Sequence, residues 1–131
     1  MRVGITGTRE GLNGRQIDWL TKFIDLVGDQ ITEFHHGDCV GADIEASRLF
    51  KDKTEAKIHV HPPVNDAYRA RGFGDVVYPE TSYMRRNRDI VRKADIMIAF
   101  PRTRVPQTHS GTWLTINIAN QQDTPIFIIK P

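Results

Sequence analysis

Three short stretches of this chain combine glycine, hydroxyl and charged side chains at spacings suited to holding an anion. Gly7-Thr8-Arg9 follows a β-branched run, where small residues let a phosphate approach backbone N–H groups and Arg9 supplies a countercharge. Thr108-His109-Ser110-Gly111-Thr112 brings two kinds of hydroxyl and a glycine to the start of a helical pattern, where unpaired N–H groups form a phosphate cradle and Ser110 or Thr108 serves as N-cap. Between them, Gly37-Asp38-Cys39-Val40-Gly41-Ala42-Asp43 places two carboxylates at a strand-to-helix junction. There Asp38 is read as a group for ribose hydroxyls or an attacking water. Asp43, in the first helical turn, is read first as a helix-favouring charge and second as the same kind of group. No base can be assigned to Cys39, so it is not read as a nucleophile.

The segment Tyr83 to Ala94 adds a fourth contribution. Projected at helical spacing, Tyr83, Ile90, Val91 and Ala94 form one apolar stripe containing Asn87, with Arg86 on its flank. An asparagine in such a stripe needs hydrogen-bond partners, and a polar ligand is one source of them. Arg86 and Asn87 are therefore expected in the pocket, and Arg85, Arg88 and Arg92 on a solvated face. His59 and His61 share one face of a strand, but the sequence assigns them no third ligand. His35 and His36 point to opposite faces, so no metal site is assigned.

The elements that must position these groups alternate regularly. Strands are expected at Arg2 to Thr6, Ile31 to His35, Lys57 to His61, Ile96 to Phe100 and Ile126 to Ile129. Helices are expected from a capping box at Asn13 and Gln16 up to Gly28, and at Ala42 to Lys51, Tyr83 to Ala94 and Gly111 to Asn120. Five strands alternating with four helices describe a single α/β domain over residues 1–131, Rossmann-like, with a parallel sheet covered on both faces. Ligands in such sheets sit beyond the carboxyl ends of the strands, which gathers the glycine-bearing loops into one crevice. The connection from Pro62 to Ser82 is unusually long for such a fold and is expected to serve the site.

Composition narrows the class. The 131 residues, 39% hydrophobic, suit one core, and 18 basic against 16 acidic residues give a charge of +2, too weak for a dedicated duplex-DNA binder. A single cysteine and the lack of a leader pattern point to the cytoplasm, and no apolar run reaches the roughly 18 residues of a membrane span. Gly7-x-x-x-Gly11 is neither a P-loop, which needs a lysine, nor the dinucleotide fingerprint, which expects an acid where this chain has His35-His36.

Taken together, Gly4-Ile5-Thr6-Gly7-Thr8-Arg9, His36-Gly37-Asp38-Cys39-Val40-Gly41-Ala42-Asp43, Arg86-Asn87 and Ser110-Gly111-Thr112 resemble the SLOG superfamily, across nearly the whole chain. Small YspA/YpsA-like members are most similar; the LOG-type "lysine decarboxylase-like" phosphoribohydrolases and the DNA-processing protein DprA are more distant. The resemblance implies a Rossmann-like domain that binds nucleotides, nucleotide-derived signals or, as in DprA, single-stranded DNA. It also implies a departure. The LOG enzymes carry P-G-G-x-G-T-x-x-E with a catalytic glutamate, and this chain has Thr115 at that position.

The leading expectation is a nucleotide-binding sensor, carrier or sequestering module with no further cofactor, its ligand held by Gly7, Thr8, Arg9, Asp38, Gly41, Asp43, Arg86, Asn87, Ser110, Gly111 and Thr112. The alternative is hydrolysis of the N-glycosidic bond of a nucleoside monophosphate or ADP-ribose-like molecule, with Asp38 or Asp43 orienting water. A third reading, single-strand nucleic-acid binding, rests on basic residues between Arg69 and Arg104. Homo-oligomers are the common assembly of such small open sheets and are expected here.

Overall fold

The computed structural model describes residues 1–131. Its elements are β1 (Arg2–Gly7), α1 (Gly14–Val27), β2 (Glu33–His36), α2 (Ala42–Lys53), β3 (Lys57–Val60), β4 (Val76–Val77), α3 (Tyr83–Lys93), β5 (Ile96–Phe100), α4 (Gly111–Gln121) and β6 (Ile126–Ile128). All strands pair in parallel, in the order β4-β3-β2-β1-β5-β6. The sheet thus has six strands rather than five. The additional one, β4, is two exposed residues long, too short to leave a period in the sequence. It is held on the edge by its flanks: Asp75 N–H donates to the Ile58 carbonyl (2.9 Å), Tyr78 N–H to the Val60 carbonyl (2.9 Å), and the Asp75 carboxylate accepts from Ile58 N–H (2.8 Å). β2 begins two residues later than expected, because Gly28–Gln30 turn as a 3-10 helix before it.

Alternation along the strands sorts the two faces. Val3, Ile5, Phe34, Ile58, Val60, Ile98 and Phe100 point to one side, where α1 and α2 bury them with Leu20, Ile24, Ala46 and Phe50. Met97 points to the other side, against Ile90, Val91 and Ala94 of α3 and Ile118 and Ala119 of α4. Gly4 allows α3 to lie this close: a Cβ there would meet the Met97 sulfur, Ile90 and Ala94. The capping box of α1 is present, with Gln16 N–H donating to Asn13 Oδ1 (2.9 Å) and Asn13 N–H to Gln16 Oε1 (3.1 Å). The same Gln16 amide, fully buried, donates to the carbonyls of Pro101 and Ile129 and so ties α1 to the ends of β5 and β6. No helix is long and apolar enough to cross a membrane.

β1 lies centrally, with β2 on one side and β5 on the other, so the chain leaves it in opposite directions. That reversal opens a crevice at the carboxyl ends of β1 and β5.

Candidate functional site

The crevice has a volume of about 800 Å³. Gly7, Thr8 and Arg9 line it after β1, Asp43 at the start of α2, Arg86 and Asn87 on the first turns of α3, and Ser110, Gly111 and Thr112 at the start of α4. Of the eleven residues expected in the site, two are placed elsewhere. Gly41, at φ +91°, is a close-approach residue: a Cβ would run into the backbone of Thr8 and Arg9, and the adjacent Ala42 N–H donates to the Thr8 carbonyl (2.9 Å). Its place is behind the β1–α1 loop, which it holds in position.

Asp38 turns away from the crevice. In the left-handed region (φ 56°) and fully buried, it accepts from Arg69 Nε (3.1 Å) and from the N–H groups of Arg71 (3.2 Å) and Gly72 (2.9 Å). Its own carbonyl accepts from Ala70 N–H (2.7 Å), and Val40 N–H donates to the Tyr68 carbonyl (2.8 Å). Asp38 is thus the fastening for the long connection. Through it Asn65 and Tyr68 reach the crevice wall, and Arg9 packs its guanidinium over the Tyr68 ring at 3.9 Å. Asp38→Asn keeps the shape but removes a charge that accepts three hydrogen bonds, so it is expected to cost about 2 kcal/mol. Limited proteolysis should then cut the 62–82 segment faster than in the parent; unchanged cleavage and melting temperature would contradict this role.

Of the two carboxylates, Asp43 rather than Asp38 lines the crevice. Asp43 faces the crevice, with Oδ2 accepting from Gly37 N–H (3.1 Å) and Cys39 N–H (3.3 Å). Burial pushes its pKa up to about 6, against the pull of Arg86 and the two backbone donors. It is a carboxyl poised near neutrality, able to give or take a proton. Cys39 also lines the crevice, but burial and the Asp43 charge raise its thiol, so it is a poor nucleophile.

Arg86 lies deeper than a flanking position on an apolar stripe predicts, at 5% exposure, while Tyr83 of that stripe is exposed. Arg86 and Asn87, early in α3, both line the crevice. The Arg86 guanidinium donates from Nη1 to the carbonyls of Gly37 and His61 and from Nε to Asn87 Oδ1 (2.8 Å). Gly37 makes room for it, since a Cβ there would overlap the guanidinium. Its partners are neutral acceptors; the ion pairs of the chain, such as Arg69 with Asp38 and Arg102 with Glu10, do not include it. A buried cation without a contacting anion is costly to hold. Asn87, half-buried beside it, spends its carbonyl oxygen on Arg86 and keeps its amide for other partners.

At the opposite wall Ser110 caps α4, its hydroxyl accepting from Trp113 N–H (3.3 Å) while its carbonyl accepts from Leu114 N–H (3.0 Å). The N–H groups of Gly111 and Thr112 have no acceptor within the chain and carry the positive end of the helix dipole. Thr115 is buried, and its hydroxyl donates to the Gly111 carbonyl (2.8 Å), one turn back in the same helix.

Asn65 and Tyr68 were not singled out as lining residues by sequence reasoning, and Gly37, Arg102 and His109 were placed at the crevice only through their loops. Only the length of the 62–82 connection signalled the first two; Gly37 was visible as part of its motif.

No protein-family model matches the chain, and a search of curated protein sequences finds no match. Among solved structures, the molybdenum cofactor binding protein of the phototrophic bacterium Rippkaea orientalis superposes with a TM-score of 0.73 at 20% identity, over 99% of this chain and 76% of that one. The single-stranded DNA-binding DNA processing protein A of Helicobacter pylori gives 0.66 at 18%, over 98% of this chain and 64% of that one. The structural-genomics target TM1055 gives 0.64 at 15%, over 95% and 71%. The chain thus shares its overall α/β fold with these three proteins. These likenesses are of fold; the chemistry must come from the crevice itself.

Proposed function

We propose that the chain binds a nucleotide or nucleotide-derived ligand in this crevice, as a sensor, carrier or sequestering module. The observation that carries the reading is Arg86, a buried guanidinium lining the crevice whose hydrogen-bond acceptors are all uncharged, together with the unpaired N–H groups of Gly111 and Thr112 in the same crevice. Two positive features in one cleft suit a phosphate. Gly7, Thr8 and Arg9 close the third side, and Tyr68, Tyr83 and Asn65 at the far end offer stacking surface and polar contacts to a base. A molybdenum cofactor, the ligand of the Rippkaea protein, belongs to the same phosphate-bearing class. The fold likeness reaches it without selecting it.

Thermal unfolding measured against nucleoside monophosphates, ADP-ribose, cyclic nucleotides and dinucleotides tests this. A ligand at a hundred times its dissociation constant is expected to stabilise the chain by about 2.7 kcal/mol. Absence of any shift across the set would overturn the reading.

A second reading is favoured by one observation. Asp43, with its pKa near 6, is a crevice carboxyl able to activate water, so glycosidic hydrolysis of the ligand is its natural reaction class. Recovery of an intact ligand after prolonged incubation excludes it; release of free base supports it, and Asp43→Asn would then abolish release. Single-strand binding is less well supported. Arg69 is committed to Asp38 and Glu80, Arg71 to Asp66 and Arg102 to Glu10, so much of the basic segment is already neutralised.

A further inference from the structure

Neighbouring positions of the sheet gather Glu33 and His35 of β2, His59 of β3, and His61 and Tyr78 of the segments that follow β3 and β4. Parallel register sets His35 directly beside His59, with ring centroids 4.4 Å apart, and Glu33 precedes His35 by two residues on the same face. His35 Nε2 lies 2.8 Å and His59 Nε2 3.6 Å from the same oxygen, Glu33 Oε1, and the three residues each offer a ligand atom within 4.8 Å of the others'. Ligands held about 2.0–2.2 Å from a tetrahedral zinc are roughly 3.3–3.6 Å apart, which these separations bracket.

The outer nitrogens are equally well placed. His35 Nδ1 is 2.9 Å from His61 Nε2, and His59 Nδ1 is 2.9 Å from the Tyr78 hydroxyl. A metal-bound imidazole carries its proton on the outer nitrogen and gives it to a neighbouring acceptor, and both rings have that acceptor in reach. His61 also stacks on Tyr78 (4.2 Å), which fixes the second layer. Glu33 is one-third exposed and His59 at 12%, so the site opens along the carboxylate and leaves a coordination position toward solvent. Lys93, 5.0 Å over the Tyr78 ring, opposes a bound cation, whereas the Glu33 carboxylate favours one.

We propose that Glu33, His35 and His59 form a two-histidine, one-carboxylate site for a borderline divalent cation of the zinc type, with His61 and Tyr78 as its outer hydrogen-bond partners. None of the three ligands lines the crevice at the carboxyl edge, so the site stands apart from the nucleotide reading. The sequence offered only His59 and His61 on one strand. Tertiary pairing supplies Glu33 and His35 as ligands and moves His61 to the outer layer.

The test is calorimetric titration of the untagged, chelator-treated full chain with Zn(II), with Co(II) as a spectroscopic substitute. One equivalent per chain is expected, with visible Co(II) bands of the intensity that low-coordinate nitrogen and oxygen ligation gives. Glu33→Gln and His59→Gln should each weaken binding by more than about a hundredfold, and Tyr78→Phe by about tenfold, as outer partners do. Circular dichroism verifies that the variants fold; should either fail to, the Co(II) spectrum of the parent chain decides. Binding well below one equivalent, a Co(II) spectrum no different from the aquated ion, or folded Glu33 and His59 variants that bind like the parent would overturn the proposal.

Discussion

Arg86→Met is expected to weaken ligand binding roughly 10- to 100-fold and to lower stability more than any surface substitution in this chain. The side chain is of similar length, so the change removes charge and donors more than volume. It leaves the buried carbonyls of Gly37 and His61 without their donor, each worth about 1–3 kcal/mol. It also removes the cation that holds down the pKa of Asp43, so that carboxyl becomes costlier to keep ionised at neutral pH. Together these amount to roughly 4 kcal/mol, measurable by urea unfolding. For binding, the loss of a charge-assisted contact to phosphate is about 1.5–3 kcal/mol, a factor of roughly 10 to 100. Affinity is read under conditions where circular dichroism shows the variant folded. A folded variant that binds nucleotides like the parent would remove the phosphate role from Arg86, and a variant of unchanged stability would mean its buried hydrogen bonds contribute nothing.

The second large effect is acid lability. Burial lowers His35 and His36 to about 4 and His61 to about 3, well under their ordinary range. The His36 Nδ1 accepts from Asp38 N–H (2.9 Å), and its Nε2 is the one buried side-chain polar atom without a partner. Between pH 6.5 and 4 the unfolded chain takes up protons on these rings that the folded chain refuses. Their contribution is therefore complete above about 6.5 and is lost as the pH falls. Asp43 acts in the opposite sense. Its folded pKa is raised to about 6, so from about 6 down to 4 the folded state holds a proton the unfolded state has released, and acid favours folding at that site. One group offsets part of three. At about 1.36 kcal/mol per proton per pH unit, the net loss between pH 6.5 and 5 is on the order of 3 kcal/mol. Urea unfolding at the two pH values, in the presence of a chelator so that no cation occupies the His35–His59 flank, measures it. Equal midpoints would show that the buried rings titrate as free histidines.

Much of this protein was legible in its residues. The apolar runs of β1, β5 and β6, the capping box at Asn13 and Gln16, and the Ser110 cap announce their elements because backbone propensity, burial and capping all act within a few residues of sequence. The alternation of strands and helices then determines a parallel sheet, and with it the edge where glycine-bearing loops meet. That is why nine of the eleven expected site residues line one crevice. What sequence could not decide were matters of direction and of partner. A turn that carries both Asp38 and Asp43 gives no sign of which carboxylate looks inward; a left-handed Asp38 and its pairing with Arg69, 31 residues away, settled that. Helical projection places Arg86 on a flank, but only its long-range acceptors, the Gly37 and His61 carbonyls, show it drawn inside. β4 exists because Ile58 and Val60 offer an unpaired edge, not because Val76 and Val77 favour extension by themselves. The histidines of β2 and β3 became neighbours through strand register. Local physics chose the elements, and long-range hydrogen bonding and burial chose which side chains share a site.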